Sequence, residues 1–248
     1  MSLPPGFLDR PFAHRGLHGP GRPENAMAAF RAAVAADYGI ELDVQPSADG
    51  VAMAFHDATL ERMTAAAGPV DALTAEALGR LALRGGEGGV PRLADVLAEV
   101  AGRVPLLIEV KDRDGAMGPD VGPLEAAVAR ALDGYDGPVA VMSFNPHSVA
   151  RLRDAAPRVP RGLVTSPFDA GDWPDLPTAT RERLRAIPDY APLGCCFVSH
   201  QADALGMPRI AALRAEGAAI LCWTIRTPDE ARRARALADA VTFEGYLP

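Results

Sequence analysis

Short apolar runs of strand length alternate with amphipathic stretches along this chain, and few folds accept that order. The runs are PFAHR at 11–15, GIELDV at 39–44, PLLIEV at 105–110, VAVMSF at 139–144, RGLVTS at 161–166, CCFVSH at 195–200, AILCWTI at 219–225 and AVTFE at 240–244. Between them lie ENAMAAFRAAVAAD, RLADVLAEVA, PLEAAVARALDG, NPHSVARLRDAA, GMPRIAALRAEG and TPDEARRARALAD, each with helical spacing of apolar residues. Several begin near Pro, Asp or Asn or end near Gly, as helix boundaries do. Parallel strands need a crossover for every return, so strand–helix alternation predicts a parallel sheet. Eight strands in 248 residues predict a closed, TIM-like (β/α)8 barrel forming a single domain over 1–248.

Two segments interrupt the rhythm. Residues 58–90 are longer than a usual strand–helix loop and read as a small insertion after the second strand, beside the barrel mouth. Residues 167–194, rich in Pro and Asp and containing Trp173, read as an irregular segment on the same rim.

A barrel gathers its chemistry at the C-terminal strand ends. His14 and Arg15 end the first run, and Glu41 and Asp43 lie late in the second. Glu109 and Lys111 end the third, Ser143 the fourth and His200 the sixth. Trp223 lies late in the seventh, and Glu244 ends the eighth. His56 and Asp57 close a further short run, VAMAFHD. Strand side chains alternate faces, so Glu41 and Asp43 share one face, as do Glu109 and Lys111. An outward orientation would press these charges against the helices, so they are expected to converge inside the mouth. Three carboxylates in one place need a counter-ion, and oxygen ligands suit magnesium or calcium. His14 and His56 are candidates for an acid/base pair. Arg15 and Lys111 suit an anionic oxygen such as phosphate.

Lys111 is also the only lysine among 25 basic residues. A chain that uses arginine everywhere else is expected to keep lysine where a wide planar guanidinium does not fit. The remaining candidates have plainer readings. Asn25 reads as a cap of the first helix, and Glu24 as a partner of its dipole. His18 reads as solvated in a Gly/Pro loop, and His147 as a helix-start residue. Trp223 reads as a pocket wall. His200 divides evenly between a pocket role and packing.

Net charge of −7 argues against a broad nucleic-acid surface. No apolar run approaches the length of a membrane helix. The opening MSLPPGFLDR lacks the basic-then-apolar pattern of a signal peptide. Three cysteines, two adjacent, do not form a disulfide framework and predict buried thiols in a reducing, cytoplasmic setting. Oligomeric state is open.

Seven motifs in order carry a resemblance: HRG at 14–16, PEN at 23–25, ELD at 41–43, HD at 56–57, EVK at 109–111, SF at 143–144 and WT at 223–224. The chain resembles the glycerophosphodiester phosphodiesterases, hydrolases of lipid metabolism, over nearly its whole length. The resemblance implies a TIM-like barrel with a small insertion after the second strand. It implies one divalent cation, Mg2+ or Ca2+, on Glu41, Asp43 and Glu109, with His14 and His56 as acid and base. Arg15, Lys111, Asn25 and Trp223 would bind substrate. The implied reaction is attack of the glycerol 2-hydroxyl on phosphorus, loss of an alcohol, and opening of the cyclic phosphate by water to sn-glycerol 3-phosphate. A lysophospholipase D-like or cyclising reaction on lipid substrates is the alternative. Two departures stand out. Ala26 follows PEN where the family has threonine, and Glu244 stands where the family has aspartate.

Overall fold

The computed structural model describes residues 1–248. The first strand, β1 (Phe12–Ala13), is followed by α1 (Met27–Ala35), β2 (Gly39–Pro46) and β3 (Ala52–Ala54). A 3-10 turn (Val70–Ala72), α2 (Ala75–Arg80) and α3 (Leu93–Val100) precede β4 (Leu106–Val110). The chain continues through α4 (Pro123–Leu132), β5 (Val139–Ser143), α5 (Pro146–Ala155), β6 (Arg161–Thr165) and α6 (Thr178–Arg185). It ends with β7 (Phe197–Gln201), α7 (Pro208–Ala215), β8 (Ala219–Ile225), α8 (Pro228–Ala234) and β9 (Ala240–Phe243). Eight strands pair in parallel in the order β1-β2-β4-β5-β6-β7-β8-β9, and β9 pairs back onto β1. The barrel is closed, and each predicted run supplies one of its strands. The ninth strand, β3, lies antiparallel on β2 with Val44 opposite Ala54.

Alternation along the strands sorts side chains into two layers. Ile40, Leu42, Val44, Leu106, Ile108 and Val110 face outward into the layer that packs on the helices. Inside the barrel floor lie Phe12, Leu107, Ala140, Met142, Val164, Phe197, Leu221 and Ala240. Phe7 closes the bottom from the N-terminal segment, its ring 5.3 Å from that of Phe12. Two glycines make room for this floor. A Cβ at Gly39 would stand 2.8 Å from the Phe12 ring, and one at Gly162 would stand 2.5 Å from the Phe197 ring. The polar strand residues sit above the floor, at the C-terminal mouth.

Helix starts follow local chemistry. The Asn145 side chain accepts the backbone N–H of His147 at 2.9 Å with Pro146 in the first turn. The Thr227 hydroxyl accepts from Glu230 N at 3.2 Å, again with proline following. Residues 58–90 carry the 3-10 turn and α2 on a small core of Leu60, Val70, Leu78, Leu83 and Val90, packed with Met53 and Phe55 beside β3.

Segment 167–194 differs from expectation. It contains α6, the crossover helix between β6 and β7. That helix reads TATRERLR and buries only Leu184, so it carries almost no apolar periodicity. All three cysteines are free; burial pushes the Cys195 and Cys222 thiols up to about 12. No helix is long and apolar enough to cross a membrane.

Candidate active site

At the first strand end, the chain turns through Arg15 (φ 54°) and Gly16 (φ 77°). Gly16 is needed for space as well as conformation, because a Cβ there would meet Ala29 and Phe30 of α1 at 3.0 Å. The turn leaves His14 beside Glu244, since Ala13 is in register with Phe243 and His14 N donates to Phe243 O. His14 Nδ1 donates to Glu244 Oε2 at 2.6 Å, and His14 Nε2 stands 4.0 Å from Glu41 Oε2. Glu244 also meets Arg226 at 2.7 Å and stands 3.6 Å from His18 Nε2. The hydrogen bond from His14, with His18 and Arg226 close by, holds the Glu244 carboxyl well below the usual range, so it stays an anion and an acceptor.

Glu41, Asp43 and Glu109 come together as expected. Asp43 is in register with Glu109 on the adjacent strand, and Glu41 lies one inward position below Asp43. All three are buried, and their ligand oxygens lie within 4.8 Å of one another. The outward-facing alternative is excluded, because the neighbours Ile40, Leu42 and Val44 take the helix-facing layer. Lys111 Nζ bridges Asp43 at 2.7 Å and Glu109 at 2.6 Å. Arg15 donates its backbone N–H to Glu41 at 3.0 Å, while its guanidinium meets Glu24 at 2.8 Å and Asp43 at 3.3 Å.

These cations do not balance the site evenly. Burial and the repulsion of Asp43 and Glu109 push the Glu41 carboxyl well above its ordinary range. Asp43 goes the other way: burial alone would raise it, but Lys111, the histidines and Arg15 hold it well below. A buried all-oxygen donor set with excess negative charge fits a hard divalent cation.

His56 arrives through the β2–β3 hairpin. Phe55 N donates to Asp43 O, and Gln45 Nε2 donates to His56 O at 3.1 Å. His56 Nδ1 bonds Asp57 Oδ1 at 2.8 Å, leaving Nε2 for the cavity. Burial lowers the His56 pKa, and the charges of Lys111 and Arg15 add to that effect against Asp43. Arg62, from the insertion, ties Asp57 to Glu24 at 2.6 Å each. His14, Arg15, Glu41, Asp43, His56, Glu109 and Lys111 line one cavity of about 190 Å³, walled opposite by Phe144 and Trp223.

Several residues fall elsewhere than expected. Asn25 is not a helix cap: α1 starts at Met27 behind Ala26, which makes no side-chain cap bond. Nor does Asn25 reach the cavity wall as a substrate-binding group. It lies buried behind the wall with φ 52°, donates Nδ2–H to Asp43 Oδ2 at 2.9 Å and accepts Asp43 N at 3.2 Å. Its amide orients that carboxylate. Glu24 serves Arg15 and Arg62 rather than the helix dipole. His18 leaves its solvated reading for the Glu244 cluster. His200 faces outward, buried, against Thr165 Oγ1 at 2.7 Å, so it packs rather than joins the cavity. Ser143 is buried and structural, donating to Val110 O at 2.7 Å.

Sequence reasoning missed Arg62, Arg226 and the Glu244–His14 bond. It read Trp223 as a pocket wall but missed the rings that pack with it: Phe144 lies 5.6 Å from Trp223 and 5.1 Å from Trp173. The ordered HD motif and the altered residue at 244 were the only available signals for the carboxylate–histidine pairs.

Residues 14–243 match the glycerophosphoryl diester phosphodiesterase family. The Bacillus subtilis relative YhdW is 30% identical over 237 residues, spanning 91% of this chain and 89% of that protein. A glycerophosphodiester phosphodiesterase of Caldanaerobacter subterraneus is 33% identical over 61% of this chain and 65% of its own length. The crystal structure of a glycerophosphodiester phosphodiesterase from Agrobacterium tumefaciens has a TM-score of 0.69 at 26% identity and covers 95% of each chain. An Oleispira antarctica phosphodiesterase, solved with the product sn-glycerol-3-phosphate, shares the fold with a TM-score of 0.78 at 24% identity, covering 97% of this chain and 93% of its own. By its sequence and its barrel, the chain belongs to the glycerophosphoryl diester phosphodiesterase family of hydrolases.

Proposed function

We propose that this protein hydrolyses glycerophosphodiesters to an alcohol and sn-glycerol 3-phosphate, with one divalent cation, Mg2+ or Ca2+, held by Glu41, Asp43 and Glu109. The observation that carries this reading is the convergence of three buried carboxylates, two histidines and two cations in one cavity. Once bound, the cation would neutralise non-bridging phosphate oxygens. Arg15 and Lys111 orient the phosphate from the same side. His56 Nε2, whose lowered pKa keeps it neutral, takes the proton of the glycerol 2-hydroxyl as that oxygen attacks phosphorus. His14 gives its Nε2 proton to the departing alkoxide; the ionised Glu244 on Nδ1 stabilises the imidazolium that this requires. The roles reverse when water opens the cyclic phosphate. Trp223 forms the far wall. The segment 58–90 acts as a clamp on this arrangement, through Arg62. Three free cysteines fit a reducing compartment such as the cytoplasm.

The test is hydrolysis of glycerophosphocholine by metal-stripped protein, with magnesium, calcium or manganese restored separately. Metal-dependent release of choline and glycerol phosphate in equal amounts is expected. Silence with every ion, on this diester and on lysophospholipid, would sink the reading. Accumulation of a cyclic phosphate would convert it to a cyclising enzyme.

A further inference from the structure

The reactive cavity opens sideways into a larger groove of about 790 Å³, and the two share Trp223, Thr224 and Arg226. The groove runs past the loop after β6, the turn after β7 and the face of α8. We propose that this groove receives the departing alcohol and selects one that carries an ammonium group. The inference rests on the phosphodiesterase reading above and names its substrate class.

Two independent features point to a cation. The first is the pair of tryptophans. Trp223 Nε1–H donates to Ser199 O at 3.1 Å, and Trp173 Nε1–H donates to Ser166 Oγ at 3.1 Å. Both polar edges are therefore used within the protein, and what the rings offer a ligand is π surface. Such surface attracts an ammonium. The second is charge. Asp172, Asp203 and Glu230 line the groove, and neither aspartate has an ion-pair partner. Of the two lining arginines, Arg226 is already paired with Glu244 at 2.7 Å, leaving Arg233 as the single opposing charge.

The mouth is thus polarised. Arg15 and Lys111, together with the divalent cation of the reading above, make the phosphate side cationic, and an aromatic, net acidic groove lies on the other. A diester of an amino alcohol is zwitterionic in the matching sense, whereas a diester of glycerol or inositol carries only the phosphate charge. The ammonium alcohol would be the same whether it came from a soluble glycerophosphodiester or from a lysophospholipid headgroup.

The chain has two tryptophans, and both line this groove, so intrinsic fluorescence reports its occupancy without any turnover. Choline and its uncharged isostere 3,3-dimethylbutan-1-ol would be titrated into the wild-type protein, Trp173→Leu and the Asp172→Asn/Asp203→Asn double variant. Choline should change the fluorescence at least tenfold more tightly than the isostere. That ratio should fall toward one in the double variant, and both ligands should weaken in Trp173→Leu. Equal binding of the two probes, or no response to choline up to about 100 mM, would overturn the proposal.

A second arm compares kcat/KM for glycerophosphocholine, glycerophosphoglycerol and lysophosphatidylcholine, the first and last sharing the choline leaving group. A tenfold preference for one or both choline esters over glycerophosphoglycerol, lost in the double variant, supports the subsite and identifies which source is used. Turnover of the soluble diesters without preference and without selective binding would discard the inference and leave the phosphodiesterase reading intact. Selective choline binding with no turnover of any ester would overturn the phosphodiesterase reading, and with it the departing alcohol, leaving only a groove that binds ammonium ligands.

Discussion

The two halves of the barrel mouth are built on different physics. On one arc, β1, β2 and β4 hold Arg15, Glu41, Asp43, Glu109 and Lys111 in a chain of ion pairs and hydrogen bonds, with His14 4.0 Å from Glu41. On the other, β5 to β8 and their loops hold Phe144, Phe168, Trp173 and Trp223 by ring contacts of 5.1–6.3 Å. The charged arc is cooperative. Buried like charges tolerate one another only while every counter-charge stays in place, so one substitution alters all of them. Each aromatic contact contributes a modest amount and can be lost singly. The charged arc is therefore expected to govern chemistry and the aromatic arc stability and selectivity.

The largest effect should come from His14→Ala. Removing a proton-transfer group costs on the order of 10²–10⁴ in kcat. Activity within threefold of wild type would remove His14 from the acid role and dissolve the distinction between the arcs.

Next is a pH effect on folding that originates on the outer side of β7, away from the chemistry. Burial holds the His200 imidazole down to about 4, against an ordinary value near 6.5. The unfolded chain therefore binds more protons than the folded one between these values, and stability rises with pH across that window. The contribution is complete above about 6.5 and is lost as pH falls toward 4, amounting to about 3 kcal/mol. Urea unfolding of wild type and His200→Gln at pH 4 to 7 should show a flatter curve for the variant. Parallel curves would show that His200 does not titrate between its two states in this way.

Lys111→Arg tests whether the charged arc needs shape as well as charge. The ammonium sits between two carboxylates at 2.6 and 2.7 Å, where a guanidinium fork is too wide. A loss of about 10- to 100-fold in kcat/KM is expected, with weaker divalent-metal binding by calorimetry. Unchanged kinetics would make the single lysine a coincidence of composition.

The smallest effect is expected from Phe144→Leu, which removes ring contacts but keeps an apolar side chain. A loss of about 1 kcal/mol in urea unfolding is expected, with kcat within a few-fold. A hundredfold fall in kcat would mean that the aromatic arc positions the reacting phosphate.

Most of the charged arc could be read before any fold was known, because strand alternation is local. Glu41 with Asp43, and Glu109 with Lys111, share faces by spacing alone. Of the aromatic arc only Trp223 was legible as a wall; Phe144 ends a predicted strand with nothing to show its partners, and Phe168 and Trp173 lie in a segment that has no periodicity. The helix α6 escaped for a related reason: with one buried residue, it carries no pattern to detect. Asn25 shows a different limit. Its position before an alanine-rich helix reads as a cap, yet its amide reaches 18 residues onward to Asp43, and the helix starts uncapped behind Ala26.

The amino-acid sequence by itself determined the barrel, its eight strands, the inward placement of the metal-type carboxylates and the membership of the family, because each depends on order and short-range spacing. Tertiary structure alone decided what each charge touches: Glu244 on His14 across 230 residues, Arg62 between Asp57 and Glu24, and Asn25 behind Asp43. Closure of the sheet brings strand ends together from both ends of the chain, and no periodicity encodes which side chains then lie within hydrogen-bond reach.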